Sequence, residues 1–370
     1  MKMTTTKTTG WGSRLRTLAA TVLLPWLTAT TTPACAQSSW QAADMQQRNV
    51  ADFWLGADIS GTTELEARGV QLCNAKGEPR ENTALMRELG LNAIRLRVWV
   101  DPVEHGGFCN PDDVLRMARR AKDWGMPVMI DFHYSDWWAD PGKQNIPKAW
   151  KDMDYDEMCR ALADHTRHTL QLLRQADIDV RWVQVGNETT NGFLWPVGHT
   201  KENMRQYAGL TRAGYDAVKQ VYPEAQVIVH VDCAADLNRY RRIFDGLRRY
   251  GCPWDIIGMS VYPYWDIRGN HTQTWQETVD RFAENTRTLY NLYRTPLMVV
   301  ETGVERDNPA EGKQILAAII DAARHRTDGH CQGVFYWAPE LERHYPLGAF
   351  TNGRPTAIME AFTEANARQN

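Results

Sequence analysis

Long hydrophobic runs are missing from most of this 370-residue chain. Beyond residue 40 no uncharged apolar stretch approaches the length of a membrane span. An excess of one charge is missing too: the formal net charge is −3, which gives no electrostatic footing for nucleic acid or an anionic membrane. No Gly/Pro-rich or single-sign tract interrupts the sequence, and a 43% hydrophobic content excludes disorder as its main state. Several reaction motifs are absent. Without GxGxxG or GxxxxGK[ST] there is no glycine-rich phosphate turn, and without GxSxG no nucleophile elbow. HExxH, CxxC and other Cys/His metal spacings are also lacking, so no metal or cofactor is expected.

What the first residues contain is an expected export signal over 1–36. Lys2, Lys7, Arg14 and Arg16 form a basic start, Leu18 to Leu27 a short apolar stretch, and Ala34-Cys35-Ala36 a small-x-small cleavage site. Its removal takes away four positive charges and no acid, moving the net charge from −3 to −7. The chain is therefore expected to be exported, whether secreted, periplasmic or on the cell surface. Lipidation at Cys35 is the alternative, which Thr32 three residues earlier disfavours. Residues 37–52 read as a lead-in and 53–370 as one domain. Six cysteines follow the signal, and Cys73 with Cys109 is the first pairing to expect; buried free thiols compete with it.

From residue 53 on, short β-rich apolar runs alternate with amphipathic stretches. The expected strands are 53–60, 93–100, 127–134, 182–188, 227–232, 256–263, 297–303 and 333–339. Expected helices cover 111–124, 156–176, 201–221, 236–250, 275–293 and 311–325. Asn110-Pro111-Asp112-Asp113 supplies a cap, a first-turn proline and acids at the positive end of the dipole. Eight strands with helices between them predict a parallel sheet closed as a single (β/α)₈ barrel, with long βα loops forming a cleft. Nothing demands an oligomer, so a monomer is expected.

In such a barrel the active site lies at the C-terminal strand ends. Glu188 and Glu301 each close an apolar strand, where a charge is expensive unless used or paired. Strands four and seven face each other across the mouth, so the two side chains can converge. Convergent carboxyls serve glycoside hydrolysis: one protonates the leaving oxygen, the other stabilises or attacks the oxocarbenium-like centre. The competing reading pairs each glutamate with a strand arginine, for example Arg97. Asn187 can hydrogen-bond a sugar hydroxyl near the reacting carbon. Trp99, Trp137, Trp138, Trp195, Trp265 and Trp337 cluster at strand ends, where indole faces suit the CH faces of sugars. Arg97, His133 and Tyr262 would form polar walls that orient the glutamates. His165 and His168 read as residues of a solvated helix face.

At these residues the chain resembles the arabinogalactan endo-β-1,4-galactanases, glycoside hydrolase family 53, from Phe53 to about Ala361. The matching stretches include Gly56-Ala57-Asp58-Ile59-Ser60, Arg95-Leu96-Arg97-Val98-Trp99, and Asp131-Phe132-His133-Tyr134-Ser135-Asp136 followed by Trp138-Ala139-Asp140-Pro141-Gly142-Lys143-Gln144. Val185-Gly186-Asn187-Glu188, Tyr262-Pro263-Tyr264-Trp265, Val300-Glu301-Thr302 and Phe335-Tyr336-Trp337 complete the set. The resemblance implies a (β/α)₈ barrel and retaining, endo-acting cleavage of β-1,4-galactan, the pectin side chain, with Glu188 as acid/base and Glu301 as nucleophile. The expected substrate contacts are Arg97, His133, Asp136, Trp138, Asn187, Tyr262, Trp265 and Trp337. Two stretches depart from the family pattern. Gly303-Val304-Glu305-Arg306-Asp307 replaces an aromatic-proline segment, and Ala338-Pro339-Glu340-Leu341 lacks the acid beside Trp337. Both are expected on the cleft wall. A calcium site held by some bacterial members is not carried over. The alternatives are a retaining barrel hydrolase for another β-glycan, and a glycan-binding barrel without catalysis.

Overall fold

The computed structural model describes residues 53–342 and 345–367. The expected export signal, the lead-in and Cys35 lie outside them. Eight strands form one closed barrel: β1 (Trp54–Asp58), β2 (Ala93–Val98), β3 (Val128–Phe132), β4 (Val180–Val185), β5 (Gln226–Val231), β6 (Ile256–Val261), β7 (Leu297–Thr302) and β8 (Cys331–Trp337). Each strand pairs in parallel with the next, and β8 closes on β1 from Trp54 opposite Gly333 to Asp58 opposite Trp337. The molecule is a (β/α)₈ barrel.

The long helices lie where amphipathic periodicity places them: α3 (Pro111–Asp123), α4 (Tyr155–Gln175), α5 (Thr200–Val221), α6 (Leu237–Arg249), α8 (Trp275–Tyr293) and α9 (Pro309–His325). Asn110 caps α3 by accepting the Asp113 amide, and Asp154 with Glu157 closes a capping box on α4. Four short helices carry too few turns for a periodic signal: α1 (Thr62–Ala67), α2 (Asn82–Glu88), α7 (Pro263–Arg268) and α10 (Glu360–Ala367). In α7 the chain after Tyr262 turns helical at a first-turn proline instead of continuing β6.

Alternation along the strands sorts the barrel interior into two layers. The lower layer is apolar: Ala93, Met129, Trp182, Ile228, Ile256, Met298, Val300 and Phe335. Gly56 makes room for it, since a Cβ there would lie 2.3 Å from the Phe335 ring. Two residues further along the strands the same face turns polar, with Asp58, Arg95, Asp131, Gln184 and His230 all buried, and Ser260, four residues beyond Ile256, is buried above them. That layer is the floor of the cleft.

β7 breaks the alternation. Between Met259 and Ser260 of β6 the partner on β7 advances from Val299 to Glu301, and β8 shows the same slip. This bulge at Val300 lets Val300 and Glu301 both serve the interior, one in the apolar layer and one above it.

Two expectations are corrected here. The described cysteines are all free thiols, so Cys73 and Cys109 are not paired. Cys73 forms an isolated antiparallel bridge with Pro79 and donates its amide to the Gly353 carbonyl, while Cys109 is buried with Sγ 3.2 Å from Arg97 Nη2. His165 does not face solvent; it packs edge-on against Phe132, Tyr134 and Trp150, and burial lowers its pKa to about 4. His168 is exposed. No described helix is long and apolar enough to cross a membrane.

Candidate active site

One buried guanidinium organises the floor. Arg95 Nη1 donates to Asp58 Oδ2 at 2.7 Å, and Nη2 to Asp131 Oδ2 at 2.8 Å and Asn187 Oδ1 at 3.0 Å. Nη2 also lies 2.8 Å from Glu301 Oε1, and Nε donates to Gln184 Oε1 at 2.7 Å. Burial alone would disfavour this cation, but three carboxylates outweigh it and raise its pKa. Asp131 is likewise buried, yet Arg95 and His133 pull it down to about 2. His133 donates from Nε2 to Asp131 at 3.0 Å and accepts at Nδ1 from the Trp99 indole and the Ala139 amide.

The strand arginine that meets Glu301 is thus Arg95, not Arg97. Arg97 lies two residues nearer the mouth, with its guanidinium 4.4 Å from the Trp99 ring centre and 4.0 Å from that of Trp138. It stiffens the aromatic wall.

Glu188 follows β4 in a left-handed conformation, φ 45° and ψ 55°. A side chain there costs about 1–2 kcal/mol, the kind of strain that collects at working sites. The Glu188 amide donates to His230 Nδ1 at 3.3 Å, and its Oε1 accepts the Ser260 hydroxyl at 2.7 Å. Glu301 receives Arg95 on Oε1 and the Tyr262 hydroxyl on Oε2 at 3.2 Å. One oxygen of each carboxyl and a ring nitrogen of His230 lie within 4.8 Å of one another.

Burial pushes both carboxyls above their ordinary range. Arg95 and Tyr262 pull Glu301 back, whereas the negative charge of Glu301 pushes Glu188 up further. The pair therefore ionises first at Glu301, and Glu188 keeps its proton.

Above the pair lies a cavity of about 510 Å³. It is lined by both glutamates, His133, Trp138, Asn187, Tyr262, Trp265 and Trp337. Trp138 and Trp337 meet edge to face at 5.6 Å, and Trp265, 47% exposed, lines the same cavity. Trp99 is buried behind the wall, and Trp195 bonds to the Asn191 carbonyl. Asn187 spends one amide proton on the Ala139 carbonyl and keeps another. Arg97 and Asp136 do not line this cavity. Asp136 accepts the Asp101 and Lys148 amides and so ties two loops together.

Residues that the strand ends did not suggest also line it, among them Asp232 paired with Arg239, and Asp266, His271 and Tyr345. The floor residues carry the same signal that singles out Glu188 and Glu301: a polar side chain inside an apolar strand must be paired.

Of the two departures from the family pattern, residues 303–307 lie outside the cavity lining. Glu340 is buried behind the wall, and its Oε2 has no partner among the described residues. Burial and the nearby Asp58 raise its pKa to about 8. A raised acid stabilises the fold below its unfolded value of 4.5, and that contribution is lost as pH rises through about 8. Glu340→Gln, which cannot ionise, is expected to raise Tm relative to the parent at pH 8.5 but not at pH 4.5. Melts across that range check this; a constant difference would oppose it.

Glu188, His230 and Glu301 form the metal-sized cluster found among the described residues. Both nitrogens of His230 are already engaged, Nδ1 with Gln184 and the Glu188 amide and Nε2 with Ser260, so its donors are spent on hydrogen bonds.

Comparison with known proteins finds the family model "Glycosyl hydrolase family 53" matching residues 54–366. An uncharacterized protein in the bgaB 5′ region of Niallia circulans is 38% identical over 68% of this chain and 67% of its own length. The endo-beta-1,4-galactanase of Bacillus subtilis (strain 168) is 28% identical over 83% and 78%. Among solved structures, the Ignisphaera aggregans GH53 catalytic domain superposes with a TM-score of 0.76 at 30% identity, covering 84% of this chain and 95% of that one.

Proposed function

Because the chain belongs to glycosyl hydrolase family 53, we propose that it is an endo-β-1,4-galactanase that cleaves arabinogalactan with retention. The observation that carries the stereochemistry is the approach of the Glu188 and Glu301 oxygens to within 4.8 Å. Retaining enzymes place their carboxyls about 5–5.5 Å apart; inverting ones need roughly 6.5–9.5 Å to admit a water.

Glu301, ionised against Arg95, attacks the anomeric carbon. The glycosidic bond breaks as its oxygen takes the proton of Glu188. Glu188, now a carboxylate, draws a proton from water, whose oxygen displaces Glu301 from the sugar. Trp138, Trp265 and Trp337 line the cavity that holds both carboxyls and offer a sugar polymer several aromatic platforms, which supports cleavage within the chain. Export agrees with this role, since a polysaccharide must be met outside the membrane, and a monomer suffices for it.

The test incubates the mature chain from Gln37 with linear β-1,4-galactan. Medium-length oligosaccharides are expected early, with the β-anomer of the new reducing end appearing first by NMR. Short products alone would favour an exo mode, and an initial α-anomer would overturn retention. Cleavage of mannan or glucan but not galactan would move the substrate to another β-glycan. Tight binding without turnover from pH 4 to 9 would leave a binding protein.

A further inference from the structure

Ser260 can donate only one proton, and the hydrogen bonds around it determine where that proton goes. The starting point is Arg95, whose Nε can only donate. Gln184 Oε1 accepts it at 2.7 Å, which turns the amide nitrogen of Gln184 toward His230 Nδ1, 2.9 Å away. The Glu188 backbone N–H, also a donor without choice, meets the same Nδ1 at 3.3 Å. Asn187 Oδ1 lies 3.1 Å from it but is held by Arg95 Nη2 and brings no proton. With two donors aimed at it, Nδ1 is the bare nitrogen, and the ring proton sits on Nε2. Nε2 is 2.8 Å from Ser260 Oγ and donates to it. Ser260 then passes its own proton to Glu188 Oε1 at 2.7 Å.

We propose that His230, acting through Ser260, is a positioning residue that keeps the catalytic proton of Glu188 on Oε2, the oxygen Ser260 leaves free. The inference rests on Glu188 being the acid. The direction of the chain matters: were the His230 proton on Nδ1, Ser260 would give its proton to Nε2 and leave Oε1 open. It also makes Arg95 common to both carboxyls, by direct contact with Glu301 and through Gln184, His230 and Ser260 with Glu188.

The surroundings hold the chain in this state. Burial and the nearby Arg95 and His133 keep His230 neutral, opposed by Asp131. Glu188 is faced by the carboxyls of Glu301 on β7, Asp232 after β5 and Asp140 after β3, each of which favours its protonated form. Near the pair stand also the hydroxyls of Tyr262 and Tyr345, the floor groups Arg95, Asp58 and Asp131 that act on Glu301, and His133, Arg239, Asp266 and His271 of the cavity lining. Ser260 is the group acting the other way on Glu188, by donating to its carboxylate.

Four variants separate positioning from packing. His230→Asn keeps an acceptor where Nδ1 was but cannot reach Ser260, and Ser260→Ala removes the link itself. His230→Gln restores a donor near the Nε2 position, and Ser260→Thr restores the hydroxyl. Three readouts are taken: kcat/KM against pH on galactan, the same on a 2,4-dinitrophenyl β-galactobioside whose leaving group departs without a proton, and the ¹³C NMR titration of the labelled Glu188 carboxyl. His230→Asn and Ser260→Ala are expected to move that titration up by about one unit, and the basic limb on galactan with it. Galactan turnover should fall about ten times more than turnover of the aryl glycoside. His230→Gln and Ser260→Thr should recover most of the loss. Equal losses on both substrates, or an unmoved Glu188 titration, would overturn the proposal. If the parent does not cleave galactan but Ser260→Ala still moves the titration, the galactanase reading fails while the hydrogen-bond assignment stands.

Discussion

Glu301→Gln is expected to lower kcat on linear β-1,4-galactan by about 10⁴-fold or more. The amide has the size of the carboxylate but forms no ester with the anomeric carbon, so the first bond of the mechanism is lost. Folding should survive, because Arg95 retains Asp58 and Asp131 as partners. The loss is therefore to be read from reducing-end release on protein whose melting profile matches the parent. Residual turnover within tenfold of the parent would remove Glu301 from the nucleophile's role. The same substitution has a second signature. The Glu301 charge helps hold the Glu188 pKa up, so its removal should move the Glu188 titration down. In the proposed mechanism the parent's kcat/KM needs Glu301 ionised and Glu188 protonated. Burial raises both groups, so both limbs of the bell should lie above the ordinary carboxylate range.

The largest effect on stability is expected from Arg95→Met. Asp58, Asp131 and Glu301 all lie within 2.8 Å of this guanidinium and are buried with it. Removing the cation strands three anions in the barrel, at a cost of about 3–5 kcal/mol or more. Lysine should restore little, since one ammonium cannot reach the five acceptors that the fork engages. The pH dependence has a defined sign. Asp131 is held at about 2, below its ordinary 3.8, so its contribution is present above 3.8 and lost as pH falls through about 2. The variant lacks that contribution, and its deficit should be greatest near neutral pH and shrink in acid. Urea unfolding of parent and variant at pH 7 and pH 3 measures it; a deficit independent of pH would oppose this account.

Much of this protein was legible in its residues because the signals are local. Eight apolar runs and the amphipathic stretches between them state the barrel, since a strand with two covered faces and a helix with one are each written into consecutive side chains. The capping residues before α3 and α4 belong to the same local code. Glu188 and Glu301 stood out because a carboxyl closing an apolar strand needs a use.

What the tertiary structure decided is which side chains meet. Arg95 and Arg97 lie on one face of β2, two residues apart, and alternation cannot tell them apart. The stagger of the closed barrel puts Arg95 level with the carboxylates and Arg97 among the tryptophans. Alternation would also turn Glu301 away from the face of Val300, and only the bulge in β7 brings it over the axis. Cys73 and Cys109, each in a loop after an early strand, look pairable until the loops are placed. Glu340, one residue of a divergent stretch, turns out to be a buried acid behind the wall. The division has one physical cause: periodicity and capping act within a few residues, whereas register, stagger and loop docking are settled by packing between segments far apart in the chain.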